Sequence, residues 1–475
     1  MMTGSADELF CAVSTPAGTS GIAVIRISGN GAAKSIDRSV KIIRSSGGYG
    51  KVSELPGYTC CFADLRDPDT GVSVDKVVIT RFEAPFSYTG DEMVEISCHG
   101  SPEVKKEILD ILYRLGIRAA GPGEFTKTAF MNGKMSLSSA EAVMDIIASD
   151  SSEELRAANI ISEGALAKRT DKIENDLYEM MAMIEMAVDF DDDDSPDDDT
   201  RVKVSGILND SVAELERIVL SYRKGRMLSE KMKVSFTGIP NSGKSTLLNS
   251  IAGYDRSIVT DISGTTTDTI EAVCDIYGVP VILTDTAGIT KSSDRIEALG
   301  VERAIREYGK SDIVFYLVSP DTTVKQVSDQ LHDVRAKIRE DAELIVLFNK
   351  SDLGSNPGEE EIREIGRRYG ASSFIPISAS DGTNVEEVRK AIKAHYDNAG
   401  VSDGGLVITN RRHYETLDSA LGILRTAVTA LDKGEGLDVV SSIVRAALDK
   451  TGEISGKTVS ADLAKTIFDR FCIGK

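Results

Sequence analysis

Between residues 238 and 245 the chain reads Gly-Ile-Pro-Asn-Ser-Gly-Lys-Ser. Glycines let a loop curl its backbone amides around an anion, and a helix starting behind the loop adds partial positive charge. Asn241, Ser242, Gly243, Lys244, Ser245 and Thr246 are therefore candidates to hold a triphosphate. Lys244 would meet the β- and γ-phosphates, and the Ser245 hydroxyl would meet Mg2+. Asp285-Thr286-Ala287-Gly288 closes a second apolar run, placing Asp285 in the outer sphere of that ion and Gly288 near the γ-phosphate. Asn349-Lys350-Ser351-Asp352 closes a third. Asp352 offers two acceptors to the N1 and 2-amino donors of guanine, which adenine does not match. Ser378-Ala379-Ser380, after the next run, would give backbone contacts to the base. The segment Thr260-Asp261-Ile262-Ser263-Gly264-Thr265-Thr266 lies where a switch threonine, Thr266, would complete the magnesium shell. In this order and spacing the set implies a site that binds and hydrolyses GTP. Ile289 stands where many small GTPases place a water-orienting glutamine, and an isoleucine cannot orient water by hydrogen bonding.

These residues need a sheet to present them. Apolar runs at 234–239, 281–284, 313–318, 344–348 and 374–377 alternate with helical stretches, the pattern of a parallel doubly wound sheet. Ahead of it, residues 1–130 read as mixed α/β, with β-branched runs at 21–28 and 76–82 between Gly and Pro turns. From Leu137 the periodicity is helical. Ser138 and Glu141 have the spacing of a capping box, and Ile173, Leu177, Met180 and Ile184 share one face. After Gly404-Gly405, Leu417, Leu421, Leu424, Val428 and Leu431 stripe another helix. That stripe wants a partner, and the helices of 137–225 are available. The expected layout is multidomain α/β: 1–130, then a helical domain (131–228 and 399–475) interrupted by a nucleotide domain (229–398).

A net charge of −20 over 475 residues argues against coating nucleic acid by bulk electrostatics, without excluding a local basic patch. Lys224, Arg226, Lys231 and Lys233 form one basic run, read as a solvated helix end or an RNA contact. Residues 189–199 hold eight aspartates, read as a self-repelling solvated loop whose spacing fits no calcium loop. Cys11, Cys60, Cys61, Cys98, Cys274 and Cys472 lack metal-ligand spacing, as in a reduced compartment. No apolar run approaches the roughly 18 residues of a membrane span, and the N-terminus has no basic-then-apolar signal. A soluble, cytoplasmic protein without membrane contact is expected.

Several stretches carry a more specific likeness: 21–29, 87–100, 122–134, 139–147, 260–266, 294–304, Asn410–His413, and the terminal Cys472-Ile473-Gly474-Lys475. With Asn241 they resemble the tRNA modification GTPase MnmE (TrmE) family almost end to end. The resemblance implies an N-terminal tetrahydrofolate-binding domain that also forms a homodimer, followed by an all-α domain with an inserted Ras-like GTPase domain. It implies K+ held by Asn241, Thr260, Ile262 and Thr265, and a catalytic Glu297 that fills the gap at Ile289. Arg26, Glu95, Lys134 and Lys475 match folate-contacting positions. Cys472 is implied to serve modification rather than hydrolysis, with a structural cysteine as the alternative; a prenylation signal is disfavoured by Gly474 and the terminal lysine. The implied one-carbon donor is 5,10-methylene-tetrahydrofolate, with 5-formyl-tetrahydrofolate as its analogue. A flavoprotein partner, MnmG (GidA), would bring FAD and NADH in a heterotetramer or larger complex. The product would be an aminomethyl or carboxymethylaminomethyl group at C5 of the tRNA wobble uridine. Thr267 and Gly121 depart from the family, which commonly has arginine at both places. The rival reading is a regulatory or ribosome-assembly GTPase that binds RNA without modifying it.

Overall fold

The computed structural model describes residues 8–190, 198–254, 270–285, 309–400 and 405–475. The chain divides into two units: Met1–Met144 with Ser162–Asn175 and Leu448–Lys475, and Asp145–Ile161 with Asp176–Ala447.

The first unit is built on seven strands: β1 (Phe10–Val13), β2 (Ser20–Ser28), β3 (Val40–Ser45), β4 (Thr59–Arg66), β5 (Ser73–Phe82), β6 (Met93–Gly100) and β7 (Arg118–Ala119). Their order is β3-β4-β5-β6-β2-β1-β7, with only β1 and β7 paired in parallel. Alternation decides which face is covered. Ala23, Ile25 and Ile27 of β2 are fully buried, while Val24 and Arg26 point the other way. Helix α1 (Pro102–Arg114) lays Ile108, Ile111 and Leu112 on the buried face. Its first turn starts with Pro102, where a missing N–H costs nothing. Near the C-terminus, Ile467, Phe468 and Phe471 pack on Leu137 and Ala140.

The helix Leu137–Ala148 corrects the expected capping box. It begins before Ser138, and the capping hydroxyl is that of Ser136, which accepts from the Ser139 N–H at 3.1 Å. Ser138 and Ser139 are buried inside the helix.

The second unit contains a six-stranded sheet in the order β13-β12-β11-β8-β10-β9. Its strands are β8 (Met232–Gly238), β9 (Ile270–Ile276), β10 (Val279–Asp285), β11 (Ile313–Val318), β12 (Glu343–Phe348) and β13 (Ala371–Pro376). The five apolar runs read from the sequence all lie on this sheet, but the sheet is not wholly parallel. β9 was not among the expected strands and pairs antiparallel with β10. The turn between them places Tyr277 and Gly278 at φ 53° and 84°, the left-handed pair of a tight hairpin, without the usual Asn-Gly signature. Both sheet faces are covered. Leu247, Leu248, Val388 and Ile392 pack on one, and Val327, Leu331 and Ile362 on the other.

Helix α2 (Asp198–Ser229) leads into β8, helix α3 (Lys244–Tyr254) follows it, and helix α4 (Arg411–Asp432) lies against α2. On α4, Leu417, Leu421, Leu424 and Leu431 are buried as expected. Ala427 is more deeply buried than Val428, so the stripe is shifted slightly from its reading. The end of α2 is joined tightly to the returning chain. Ser221 Oγ accepts from Ile408 N at 3.2 Å, and a Cβ on Gly225 would collide with the Ile408 carbonyl. Gly225→Ala is expected to destabilise this unit by about 1–3 kcal/mol, the usual cost of overpacking. Thermal denaturation should show a lowered Tm, and an unchanged one would mean that the joint yields freely.

Candidate functional site

The phosphate loop needs its glycines. Gly238 ends β8 at φ 140°, and a Cβ there would meet the Leu317 carbonyl of β11. Gly243 sits at φ 95°, where a Cβ would land on Asn349 Nδ2. Asn241 takes φ 63°, a conformation that asparagine tolerates better than most residues. The Lys244 side chain lies inside the loop, with Nζ donating to the carbonyls of Gly238 at 3.0 Å and Ile239 at 2.7 Å. Burial lowers its pKa below the ordinary lysine value, against the opposing pull of Asp285. Ser245 Oγ donates to Asp285 Oδ2. A hydroxyl and a buried carboxylate side by side are hard oxygen donors, a set that fits Mg2+.

The loop after β12 is tied to the phosphate loop by one amide. Asn349 Nδ2 donates to Ser242 O at 2.7 Å, and Asn349 Oδ1 accepts from Ala379 N at 3.0 Å. Lys350 turns the chain at φ 62°. Asp352 is exposed, with Oδ1 accepting from Ser378 Oγ at 2.7 Å, and the Ser378 and Ser380 hydroxyls lie 3.0 Å apart. Asn241 to Thr246, Asp285, Asn349, Lys350, Asp352 and Ser378 to Ser380 thus line the loops at the C-terminal ends of β8, β10, β12 and β13, where open α/β sheets bind ligands.

A second constellation lies in the other unit. Arg26 and Glu95 are cross-strand neighbours on β2 and β6, with Nε and Oε1 2.7 Å apart. The Arg26 guanidinium stands 5.7 Å from the Tyr88 ring centre, and the Tyr88 hydroxyl lies 2.9 Å from Thr126 Oγ1. The last residues of the chain come to this place. Ser14 Oγ donates to Gly474 O at 2.9 Å, Ile473 bridges Pro122, and Gly123 N reaches Cys472 O at 3.4 Å. Gly474 has φ 92°, and a Cβ on it would strike the Val13 carbonyl. Burial lowers the Lys475 pKa; Arg26 lowers it further, while Glu95 and Cys472 oppose. Cys472 is exposed. Lys134 is held elsewhere, donating to Pro85 O at 2.8 Å. Among the described residues, no hydrogen bond or ion pair joins it to Arg26, Glu95 or Lys475.

Residues 137–472 match the MnmE helical domain, and residues 9–134 match the N-terminus of the GTP-binding protein TrmE. The chain belongs to the MnmE family. It is 36% identical to the tRNA modification GTPase MnmE of Caldicellulosiruptor saccharolyticus, over 98% of this chain and 99% of that one. The proteins of the same name from Acetivibrio thermocellus and Chlorobium phaeovibrioides are each 34% identical, over 99% and 100% of this chain and 99% of theirs. Among solved structures, a GTP-binding protein from Sulfolobus solfataricus in complex with GDP aligns over 62% of this chain and 77% of its own. The TM-score of that alignment is 0.29, at 16% identity.

Several expected MnmE-family residues lie outside the described ones: Thr260 to Thr267, Thr286, Ala287, Gly288, Ile289 and Glu297, with most of the aspartate-rich loop. The structure does supply residues that the sequence reading passed over. Tyr88 and Ser14 join the Arg26 constellation; Tyr88 stands in a motif already matched to the family, whereas nothing local marks Ser14. Glu124, just beyond the divergent Gly121, accepts from Arg118 at 2.5 and 2.9 Å and from Gly121 N at 2.8 Å. Three of the four cations in the basic run around the start of β8 have internal partners. Lys224 lies 4.7 Å from the Tyr396 ring centre, Arg226 pairs with Asp312 at 2.7 Å, and Lys231 with Asp150 at 2.8 Å.

Gly243→Ala would force Asn349 from its place and strain a left-handed residue. GTP affinity is expected to fall at least about tenfold, the equivalent of roughly 1.4 kcal/mol. Titration with a fluorescent GTP analogue measures it. Affinity within twofold of the parent would show that the bridge is dispensable.

Proposed function

We propose that this chain is a GTP hydrolase that takes part in modifying tRNA. In this reading it acts with a flavoprotein partner of the MnmG (GidA) kind on C5 of the wobble uridine, adding an aminomethyl or carboxymethylaminomethyl group. What its relatives are named for supports the tRNA substrate. The observation that carries the reading beyond a bare GTP switch is the seat of the C-terminal motif. Ser14, Pro122 and Gly123 bring Lys475 into the electrostatic reach of Arg26 and Glu95. A pure switch needs no such constellation.

In the nucleotide site, Lys244 would turn from its own loop carbonyls to the β- and γ-phosphates, and Asp352 would accept from guanine. Ser245 and Thr266 would hold Mg2+, with Asp285 behind Ser245. Asn241, Thr260, Ile262 and Thr265 would hold K+. These cations supply positive charge where negative charge develops on the phosphates. Glu297 would orient the attacking water in place of the side chain that Ile289 lacks. In the other unit, Glu95 has the chemistry to accept from a pterin amino edge, and Arg26 and Lys475 to hold anionic or carbonyl groups. 5,10-Methylene-tetrahydrofolate, when bound, supplies the one-carbon unit. Residues 1–130 then form the folate-binding and dimerising domain, and 229–398 the GTPase domain set between the helical halves 131–228 and 399–475. GTP hydrolysis works a conformational switch in a homodimer.

The intact protein is expected to bind 5-formyl-tetrahydrofolate in a calorimetric titration, and Arg26→Ala to weaken that binding at least about tenfold, as expected for loss of a charge-assisted contact. No binding by the intact protein would sink the modification reading. Separately, GTP hydrolysis is expected to run at least about tenfold faster in potassium than in sodium of equal ionic strength, a modest share of what electrostatic stabilisation delivers. Equal rates would remove the cation from the mechanism.

A further inference from the structure

In a chain of net charge −20, several cations of the first unit are held in ion pairs. Arg66 and Lys76 share Asp64, Arg81 holds Glu92, Arg114 holds Asp67 and Asp69, and Arg118 holds Glu8 and Glu124. One stretch gathers cations without such partners. Residues 34–51 contain Lys34, Arg38, Lys41, Arg44 and Lys51 against a single acid, Asp37. All five cations are exposed, and among the described residues none of them is in an ion pair. Asp37 is engaged otherwise, its two oxygens accepting from Ser53 N at 3.1 Å and Ser53 Oγ at 2.6 Å.

The fold places four of these charges at or beside one margin, while Lys34 sits on a short helix near β6, where Ala33 N donates to Glu92 Oε2. Lys41 and Arg44 lie on β3, the last strand of the sheet. Arg38 belongs to the segment that leads into it, and Lys51 follows the turn at Gly47-Gly48. We propose that this β3 edge is a docking surface for the phosphate backbone of RNA, resting on the reading of the chain as a tRNA-modifying protein. A polyanion is the partner whose charge matches Arg38, Lys41, Arg44 and Lys51, and phosphate neutralisation is the dominant source of nucleic-acid affinity. The composition points to positioning rather than to sequence reading. The stretch has no Asn or Gln for base edges, and its one aromatic, Tyr49, packs against the core instead of offering a stacking face. The exposed Ser46 is a further hydroxyl donor, whereas the Ser45 hydroxyl and the Gly48 and Gly50 amides are engaged within the turn and with Glu54. The place suits the chemistry as well. β3 is four strand steps from β2, which carries Arg26, or about 19 Å at about 4.8 Å per strand. An RNA held at the edge can extend a loop nucleotide toward the Arg26–Glu95 pair. The other basic run, Lys224 to Lys233, is largely taken up by internal partners and competes poorly for this role.

Charged side chains on an edge strand also prevent pairing with other strands, so the test must separate the two roles. The full-length protein is titrated into a labelled, unmodified tRNA transcript over a series of salt concentrations, beside a variant carrying Arg38→Ala, Lys41→Ala, Arg44→Ala and Lys51→Ala. All four positions are exposed and lie outside the nucleotide site, so GTP hydrolysis should be unchanged. The variant is expected to bind at least about tenfold more weakly. Its dependence of log affinity on log salt should be shallower by about 3, at roughly 0.7–0.9 per lost phosphate contact. A second variant, Lys41→Glu with Arg44→Glu, should also weaken binding. Unchanged affinity and slope would overturn the docking surface, and so would a variant that self-associates while binding tRNA as before. Failure of the intact protein to bind the transcript would overturn it too. Modified nucleosides in tRNA from cells lacking the protein judge the tRNA-modification reading on its own.

Discussion

Three loops from distant parts of the chain meet at the side-chain amide of Asn349. Its Nδ2 holds the phosphate loop through Ser242 O, and its Oδ1 holds the loop after β13 through Ala379 N. The residue is almost fully buried, so each group left without its partner would cost about 1–3 kcal/mol. The amide can do this only because β8, β12 and β13 run in the same direction and release their loops at one margin of the sheet. It also dictates Gly243, since the space that a Cβ would take is the space the amide occupies. Strand direction, glycine position and the joining of three loops are one constraint met at one atom group.

The other unit solves a similar problem with its C-terminus. A tetrapeptide at the end of a chain has little surface to bury, and its ordering entropy must be offset locally. Here Phe468 and Phe471 anchor the approach by burial against Leu137 and Ala140. Backbone contacts then guide the last residues past Gly123 and Val13, and Gly474 is required because the chain passes too close to Val13 for any side chain. The terminal lysine comes within the electrostatic influence of Arg26 and Glu95 through geometry set by residues far away in sequence.

The convergence of the loops after β8, β10, β12 and β13 was legible because each of those motifs is contiguous and follows an apolar strand. The sheet around it was read correctly except at β9. That strand follows a polar stretch, and its hairpin turns on Tyr277-Gly278, a pair that composition does not mark as a turn. The capping residue was misplaced by two positions because Ser136, Ser138 and Ser139 all offer hydroxyls, and burial, which a sequence does not display, selects among them. The seat of the C-terminal motif was legible only as family likeness. Its local partners, Ser14 and Gly123, are separated from it by more than 300 residues, and no periodicity links them. Arg118 was passed over for the same reason: its value lies in the carboxylate it meets, not in its neighbours along the chain.

Lys244 and Lys475 share a physical state. Each is a lysine whose pKa is lowered chiefly by burial, and each faces a carboxylate that opposes the shift, Asp285 in one case and Glu95 in the other. Desolvation of an ammonium is normally a cost that an arriving anion must meet. Where the fold has already imposed that cost, the anion gains the full attraction of a poorly screened charge. The carboxylate beside each lysine keeps it charged in the meantime. An anionic ligand raises the lysine pKa, because it favours the protonated form. Binding and proton uptake are therefore coupled with the same sign at both places, and affinity falls as pH rises through the lowered pKa. A lysine withdrawn from water beside one countercharge is thus better suited to capturing an anion than a fully exposed one, and Lys244 and the half-buried Lys475 share that arrangement.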